Sequence, residues 1–341
     1  MRRVAAPSRR AATAAACGAV YAACAACAGS APAAGAAGPG EAGSPAAGES
    51  VTPAARCAPP SRADAAAVRV AFDLPYAAPG GDTLRLDLAR PAGPGPHPAV
   101  VLLHGGGWEG GDRRAMHDAM RLLAARGYAA AAVGYRLTAA PRDVFPAAVH
   151  DVRCAVRWLR AHARAHDLDP ARVGALGFSA GGHLASMLGV GAGGDDAAAC
   201  LTAPGAPGAP GASGAVQAVV SVAGPQDLRV DGPYTQEQAR LVTNFLGAFP
   251  GDAPEVAARA SPIAHVGPHA APFLLVHGTG DALVPVAHAR RMRDALRAAG
   301  APATLVELRG VGHGFPALDD ADRPVVGCTV FAFFDRWLRP G

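Results

Sequence analysis

From Val68 onward the chain alternates short continuous apolar runs with longer stretches in which apolar residues recur every three or four positions. The runs VVLL at 100–103, AAAAVGY at 129–135, VGALGF at 173–178, VQAVVSV at 216–222, FLLVH at 273–277 and TLVEL at 304–308 predict buried strands. The longer stretches predict helices over 116–126, 146–165, 181–190, 287–299 and 325–338. In the second of these, Ala148, Val152, Ala155, Val156 and Leu159 share one face while the arginines fall elsewhere. Such alternation predicts an α/β fold, a mainly parallel central sheet with helices on both faces.

Two stretches interrupt the pattern. Residues 202–214, TAPGAPGAPGASG, are low in complexity and are expected to form a surface loop. Residues 224–265 have helix-like content but little strand pattern. They follow a strand at the end of the sheet where ligands bind, so they are expected to form a small lid or pocket wall.

Composition changes the picture mainly at the N-terminus. The first 66 or so residues are mostly Ala, Gly, Pro and Ser, too poor in large apolar groups to offset the entropy of ordering. Residues 1–27 read as an export signal, with Arg2, Arg3, Arg9 and Arg10 ahead of an alanine-rich apolar run that is a poor membrane span. Within that run, Cys27 in ACAAC, before AGS, resembles the lipid-attachment box of bacterial lipoproteins, with Cys24 a second candidate. Residues 28–66 are expected to be a disordered tether, and 67–341 the folded domain. The formal charge is +4, and removing the four early arginines leaves zero. A neutral mature chain has no electrostatic reason to bind nucleic acid or anionic membrane.

Four cysteines lie beyond the signal. Their even number in an exported chain permits disulfides, but their spacing fits neither a dense framework nor a metal-ligand pattern. Cys154 sits in a helical apolar pattern and is expected to be a small buried hydrophobe. Cys57 is expected to be unpaired within the domain.

The residues that carry chemistry fall at strand ends. GFSAG follows the strand VGALGF and precedes an apolar helix, so Ser179 is expected on a sharp strand-to-helix turn that exposes its hydroxyl. LHGGGW follows VVLL, and its glycines let the backbone approach a ligand closely. Gly106, Gly107 and Ala180 are the expected oxyanion donors, Trp108 the expected pocket-lining residue, and His104 an anchor of the loop. A serine hydroxyl needs a base, and the base needs an acid to fix its tautomer. His313, in VGHGF after TLVEL, has the context of a base on a loop that turns back over the site. Asp281, after FLLVH, is the preferred acid, with Asp227 its rival. His183 is expected to pack or hydrogen-bond on its helix, Asp151 and Arg153 to stabilise theirs, and His162 and His166 to lie on a solvated face.

Together LHGGGW, GYRL, FPAAVHD, GFSAGGHLA, ASP, HGTGDALVP and GVGHGF resemble the carboxylesterases of the α/β-hydrolase superfamily, in the hormone-sensitive-lipase-like and feruloyl or acetylxylan esterase-like branch. The resemblance covers residues 68–338. It implies a triad of Ser179, Asp281 and His313, an oxyanion hole from the glycine loop and Ala180, and a small-molecule ester substrate with no cofactor. A peptidase or amidase on the same triad, a lipase and a non-catalytic binding protein are the alternatives. The chain departs from the family in its APG-repeat loop and in lacking a helical N-terminal cap.

Overall fold

The computed structural model describes residues 57, 60–191, 200, 213–229, 235–314 and 322–339. The export segment with Cys27, and 202–212 of the APG-repeat loop, lie outside the described residues. Among the described residues eight strands form one sheet: β1 (Arg69–Ala77), β2 (Leu84–Arg90), β3 (His97–Leu103), β4 (Ala129–Val133), β5 (Leu168–Phe178), β6 (Ala218–Val222), β7 (Phe273–Gly278) and β8 (Ala303–Leu308). Their order is β1-β2-β4-β3-β5-β6-β7-β8. β1–β2 and β2–β4 pair antiparallel, and every other pair is parallel.

Among the described residues the α-helices are α1 (Arg62–Ala66), α2 (His117–Ala125), α3 (Ala147–Ala161), α4 (Ala180–Gly189), α5 (Gln236–Leu246), α6 (Pro254–Arg259), α7 (Ala287–Ala298) and α8 (Asp322–Leu338). Because successive strand residues point to opposite faces, β3 divides its apolar run between two cores. Ala99, Val101 and Leu103 pack with α3, α4 and α7, whereas Val100 and Leu102 pack with α2 and α8. A strand buried on both faces needs an unbroken apolar run, which is why the inner strands are plain in the sequence.

β1 and β2 are additions to the predicted strands. In β1, an edge strand, only Tyr76 and Ala77 are buried, and Pro75 is tolerated there because an edge need not donate on its outer side. In the segment expected to be tether, α1 is closed by a capping box in which Ser61 and Asp64 satisfy each other's backbone N–H groups.

Two cysteine expectations are overturned. Cys57 is bonded to Cys328 on α8, with Cα atoms 5.4 Å apart across a sequence separation of 271. Cys154 on α3 is buried, but as half of a disulfide with Cys200, with Cα atoms 5.3 Å apart. Neither spacing betrays its pairing, because folding and not sequence proximity brings these residues together. His162 is also not on a solvated face: it is half-buried and stacked on Trp158 with ring centroids 4.3 Å apart.

Candidate active site

Ser179 stands between the last residue of β5 and the first of α4, with φ 54° and ψ −120°. Left-handed backbone at a non-glycine residue is strained and persists only where the surroundings enforce it. Here they do. A Cβ on Gly177 would strike the Gly181 carbonyl, and one on Gly181 would strike the Leu103 and His104 carbonyls. The two glycines thus let the turn close tightly against the end of β3. The Ser179 N–H donates to the Val222 carbonyl at 2.8 Å, fixing the turn to β6.

The loops after β7 and β8 are stitched to each other. Thr279 N–H donates to Leu308 O (2.9 Å), Gly280 N–H to Val311 O (3.0 Å), and Gly310 N–H to Thr279 Oγ1 (2.8 Å). This brings Asp281 Oδ2 within 2.7 Å of His313 Nδ1, while His313 Nε2 lies 2.9 Å from Ser179 Oγ. Asp281 Oδ1 accepts from the N–H groups of Leu283 (3.0 Å) and Val284 (2.8 Å). Burial alone raises the Asp281 pKa, but hydrogen bonds from His277, His313 and Val284 outweigh it and hold the carboxyl well below the usual range. Asp227 is engaged elsewhere: its carboxylate accepts from Arg229 Nε and Nη2 at 2.8 and 2.9 Å and lies 3.8 Å from Arg291.

The glycine loop is held from below. Tyr135 donates its hydroxyl proton to the His104 carbonyl (2.8 Å) and stacks on the His104 ring at 4.3 Å. Burial drives the His104 pKa down to about 4, so this histidine is a neutral anchor near pH 7. Gly106 (φ 126°) and Gly107 (φ 60°) occupy backbone that disfavours side chains, and a Cβ on Gly107 would come within 2.5 Å of Leu241 on α5. Among the described residues the N–H groups of Gly106, Gly107 and Ala180 make no backbone hydrogen bond.

Trp108 both packs and lines. Its ring stacks on Phe245 at 4.3 Å and borders the cleft beside Ser179. Its Nε1–H donates to His183 Nδ1 (3.2 Å), leaving the His183 proton on Nε2 for the Ala260 carbonyl at 2.7 Å. Burial also lowers His183 to about 4. Next to Trp108, Glu109 accepts both Arg240 terminal nitrogens at 2.8 Å and Asn244 Nδ2 at 3.0 Å, a grip of α5 on the loop that no sequence motif announces.

The segment 224–265, expected as a lid or pocket wall, contributes Pro225, Asp227, Leu228, Gln238, Leu241 and Val242 to the cleft wall. The cleft is a cavity of about 60 Å3, completed by Leu283, Val284 and His288. His288 lacks the loop context of a catalytic base, and no sequence motif marks it as a cleft residue because it stands at the start of a helix.

A serine on the turn after β5, an aspartate after β7 and a histidine after β8, on a sheet of this order, define the α/β-hydrolase class of fold. Within it, the profile of the BD-FAE family matches residues 86–296, and the chain belongs to that family. Esterase LipC of Mycobacterium tuberculosis is 34% identical over 251 residues, covering 72% of this chain and 59% of LipC. The probable carboxylic ester hydrolase LipM of the same organism is 33% identical, covering 67% of this chain and 51% of LipM. The chain therefore spans little more than half the length of these relatives. Esterase Est2 of Thermogutta terrifontis superposes with a TM-score of 0.64 at 27% identity, covering 81% of this chain and 95% of Est2. Est2 has also been solved with propionate and with butyrate bound.

Proposed function

We propose that the protein is a serine carboxylesterase that hydrolyses small or short-acyl carboxylic esters through an acyl-enzyme intermediate. The reading is carried by the chain from Asp281 through His313 to Ser179, with separations of 2.7 and 2.9 Å, beside the N–H groups of Gly107 and Ala180, which make no backbone hydrogen bond among the described residues. Ser179 Oγ attacks the carbonyl carbon as its proton passes to His313 Nε2. The carbonyl oxygen becomes an oxyanion that the N–H groups of Gly106, Gly107 and Ala180 stabilise. The bond to the alkoxide then breaks, and His313 returns the proton to the leaving oxygen. Water repeats the sequence on the acyl carbon: it yields a proton to His313, Ser179 Oγ departs with that proton, and the carboxylic acid is freed. Ionised Asp281 keeps the Nδ1–H tautomer in place and stabilises the imidazolium. No step requires a cofactor.

Two observations favour short acyl groups. The cleft, at about 60 Å3, is well below the roughly 150 Å3 of an apolar cavity that holds benzene. Est2, a structural relative, accommodates propionate and butyrate. Kinetics with p-nitrophenyl esters of rising acyl length, with Ser179→Ala as control, test the reading. Turnover should peak at two to four acyl carbons and vanish in the variant, along with fluorophosphonate labelling. Retained labelling at another residue, or a preference for anilides over esters, sinks it.

We further propose that the protein acts outside the cytoplasm, as a secreted chain or one lipidated at Cys27. The basic and apolar residues 1–27 support it, as do two disulfides of the kind that persist in oxidising compartments. Mass spectrometry of the N-terminus from the native host tests it, since an intact Met1 contradicts export.

A further inference from the structure

We infer that His288 sets substrate specificity, donating its Nε2–H to an ether, hydroxyl or carbonyl oxygen carried by the part of the ester that fills the cleft; the inference rests on the esterase reading. His288 is the second residue of α7 and borders the cleft together with Ser179, Trp108 and Asp227. Its Nδ1 accepts from two backbone N–H groups, those of Gln226 and Asp227, each at 3.3 Å. Because both of these are obligate donors, the ring carries its hydrogen on Nε2.

That Nε2–H has no partner among the described residues and is not one of the buried polar atoms left without one, so it is not sealed from solvent, and the cleft is the opening that His288 borders. Burial, helped by the positive charge of Arg291, lowers the imidazole to about 4, which keeps the ring a neutral, fixed donor across ordinary pH.

Apart from the backbone N–H groups beside Ser179, the other polar side chains of the lining are already engaged. The Asp227 carboxylate is taken by Arg229, while Gln238 spends its amide nitrogen on the Leu283 carbonyl and its amide oxygen on the Thr235 N–H. The remaining wall, Leu228, Leu241, Val242, Leu283 and Val284, is apolar. A lone fixed donor in such a wall favours a group with one acceptor oxygen over its all-carbon isostere. Leaving the donor dry against a methylene forfeits its hydration without return.

Two isosteric pairs test this, one on each side of the ester: p-nitrophenyl methoxyacetate against p-nitrophenyl butanoate, and 2-methoxyethyl acetate against n-butyl acetate. For each pair the kcat/KM ratio, oxygen over carbon, is divided by the same ratio for hydroxide-catalysed hydrolysis, which removes intrinsic reactivity. In the wild type one pair should keep a preference of about fivefold to tenfold for the oxygen ester, the size expected of one hydrogen bond. In His288→Phe and His288→Leu that preference should fall to about one while the all-carbon ester is still turned over. If the corrected wild-type ratio is one or below for both pairs, or survives unchanged in both variants, the assignment is overturned. Should both variants lose all turnover, the wild-type ratio decides alone. Absence of wild-type turnover of all four esters instead defeats the esterase reading.

Discussion

Arg240 on α5 and Glu109 in the glycine loop are joined by two parallel 2.8 Å hydrogen bonds, and the pair couples the wall of the cleft to the loop that carries Gly106 and Gly107. The same helix sets Leu241 against Gly107 and Phe245 against Trp108, so residues 240, 241, 244 and 245 grip three consecutive loop positions. Both ionic side chains are about a third exposed, which limits their contribution to stability. Arg240→Ala should therefore lower the melting temperature only slightly while raising KM for p-nitrophenyl butanoate about threefold to tenfold, in line with losing a charged hydrogen-bond pair. Glu109→Ala should cost at least as much, because it also releases Asn244, and the double variant should be no worse than Glu109→Ala alone. Additive losses in steady-state kinetics contradict the coupling.

Gly107→Ala addresses the loop itself. At φ 60° a side chain is strained, and its Cβ meets Leu241 at 2.5 Å, so the loop must shift and carry its N–H groups with it. A loss of about 10² in kcat is expected with little change in fold, as for removal of one oxyanion donor. Stopped-flow acylation rates alongside a circular dichroism spectrum check both halves.

Acid sensitivity follows from the buried histidines. His104, His183 and His288 each titrate near 4, below the ordinary 6.5, because burial disfavours their charged forms. Below 6.5 the unfolded chain takes up protons that the folded chain refuses. Stability is thus full above about pH 6.5 and lost as pH falls towards 4. Urea midpoints between pH 7 and 4.5 should decline steeply, and His183→Gln should remove roughly a third of the slope if the three histidines contribute equally. An unchanged slope in that variant contradicts the account.

Asp281 has the same sign at lower pH. Its carboxyl is held below the usual value near 3.9, so what its ionised form contributes to stability is complete above about pH 4 and fades below it. Asp281→Asn should be less stable than the wild type at pH 7, with the gap closing between pH 4 and 2. Its kcat should fall about 10⁴-fold, because the amide cannot hold the required His313 tautomer. Chemical denaturation at several pH values, with kinetics at pH 7, measures both effects.

Cys57–Cys328 closes a loop of 271 residues and Cys154–Cys200 one of 46. Each should contribute about 2 to 4 kcal/mol by restricting the unfolded chain. Non-reducing peptide mapping should recover both linked pairs, and reductant should lower the melting temperature of the wild type but not of a variant with all four cysteines changed to serine. Recovery of these four residues as free thiols in the oxidised protein contradicts the pairing.

Local chemistry was legible in the sequence wherever a residue type is dictated by its neighbours along the chain. Ser179 lies between Gly177 and Gly181 because the turn admits no Cβ there, and the inner strands read as apolar runs because both faces are covered. Contacts between distant segments left no such trace. Glu109 and Arg240 are 131 residues apart, and Cys57 and Cys328 are 271 apart. His288 looks like any surface-helix histidine until the backbone of 226–227 is placed against its Nδ1. β1 escaped notice because an edge strand, largely open to water, has no need of the unbroken apolar run that marks the others.

The disulfide at Cys57 also decides where mechanical load enters the molecule. Tension applied upstream of Cys57 passes through sulfur to Cys328 and so into α8, seated by Phe331, Phe334 and Leu338 in the core. Without that bond the pull would pass through the short helix α1 and then load the β1–β2 ladder from its end. With it, the load falls on a whole helix packed across the sheet through Phe334 and Leu338, and β1 is relieved of it.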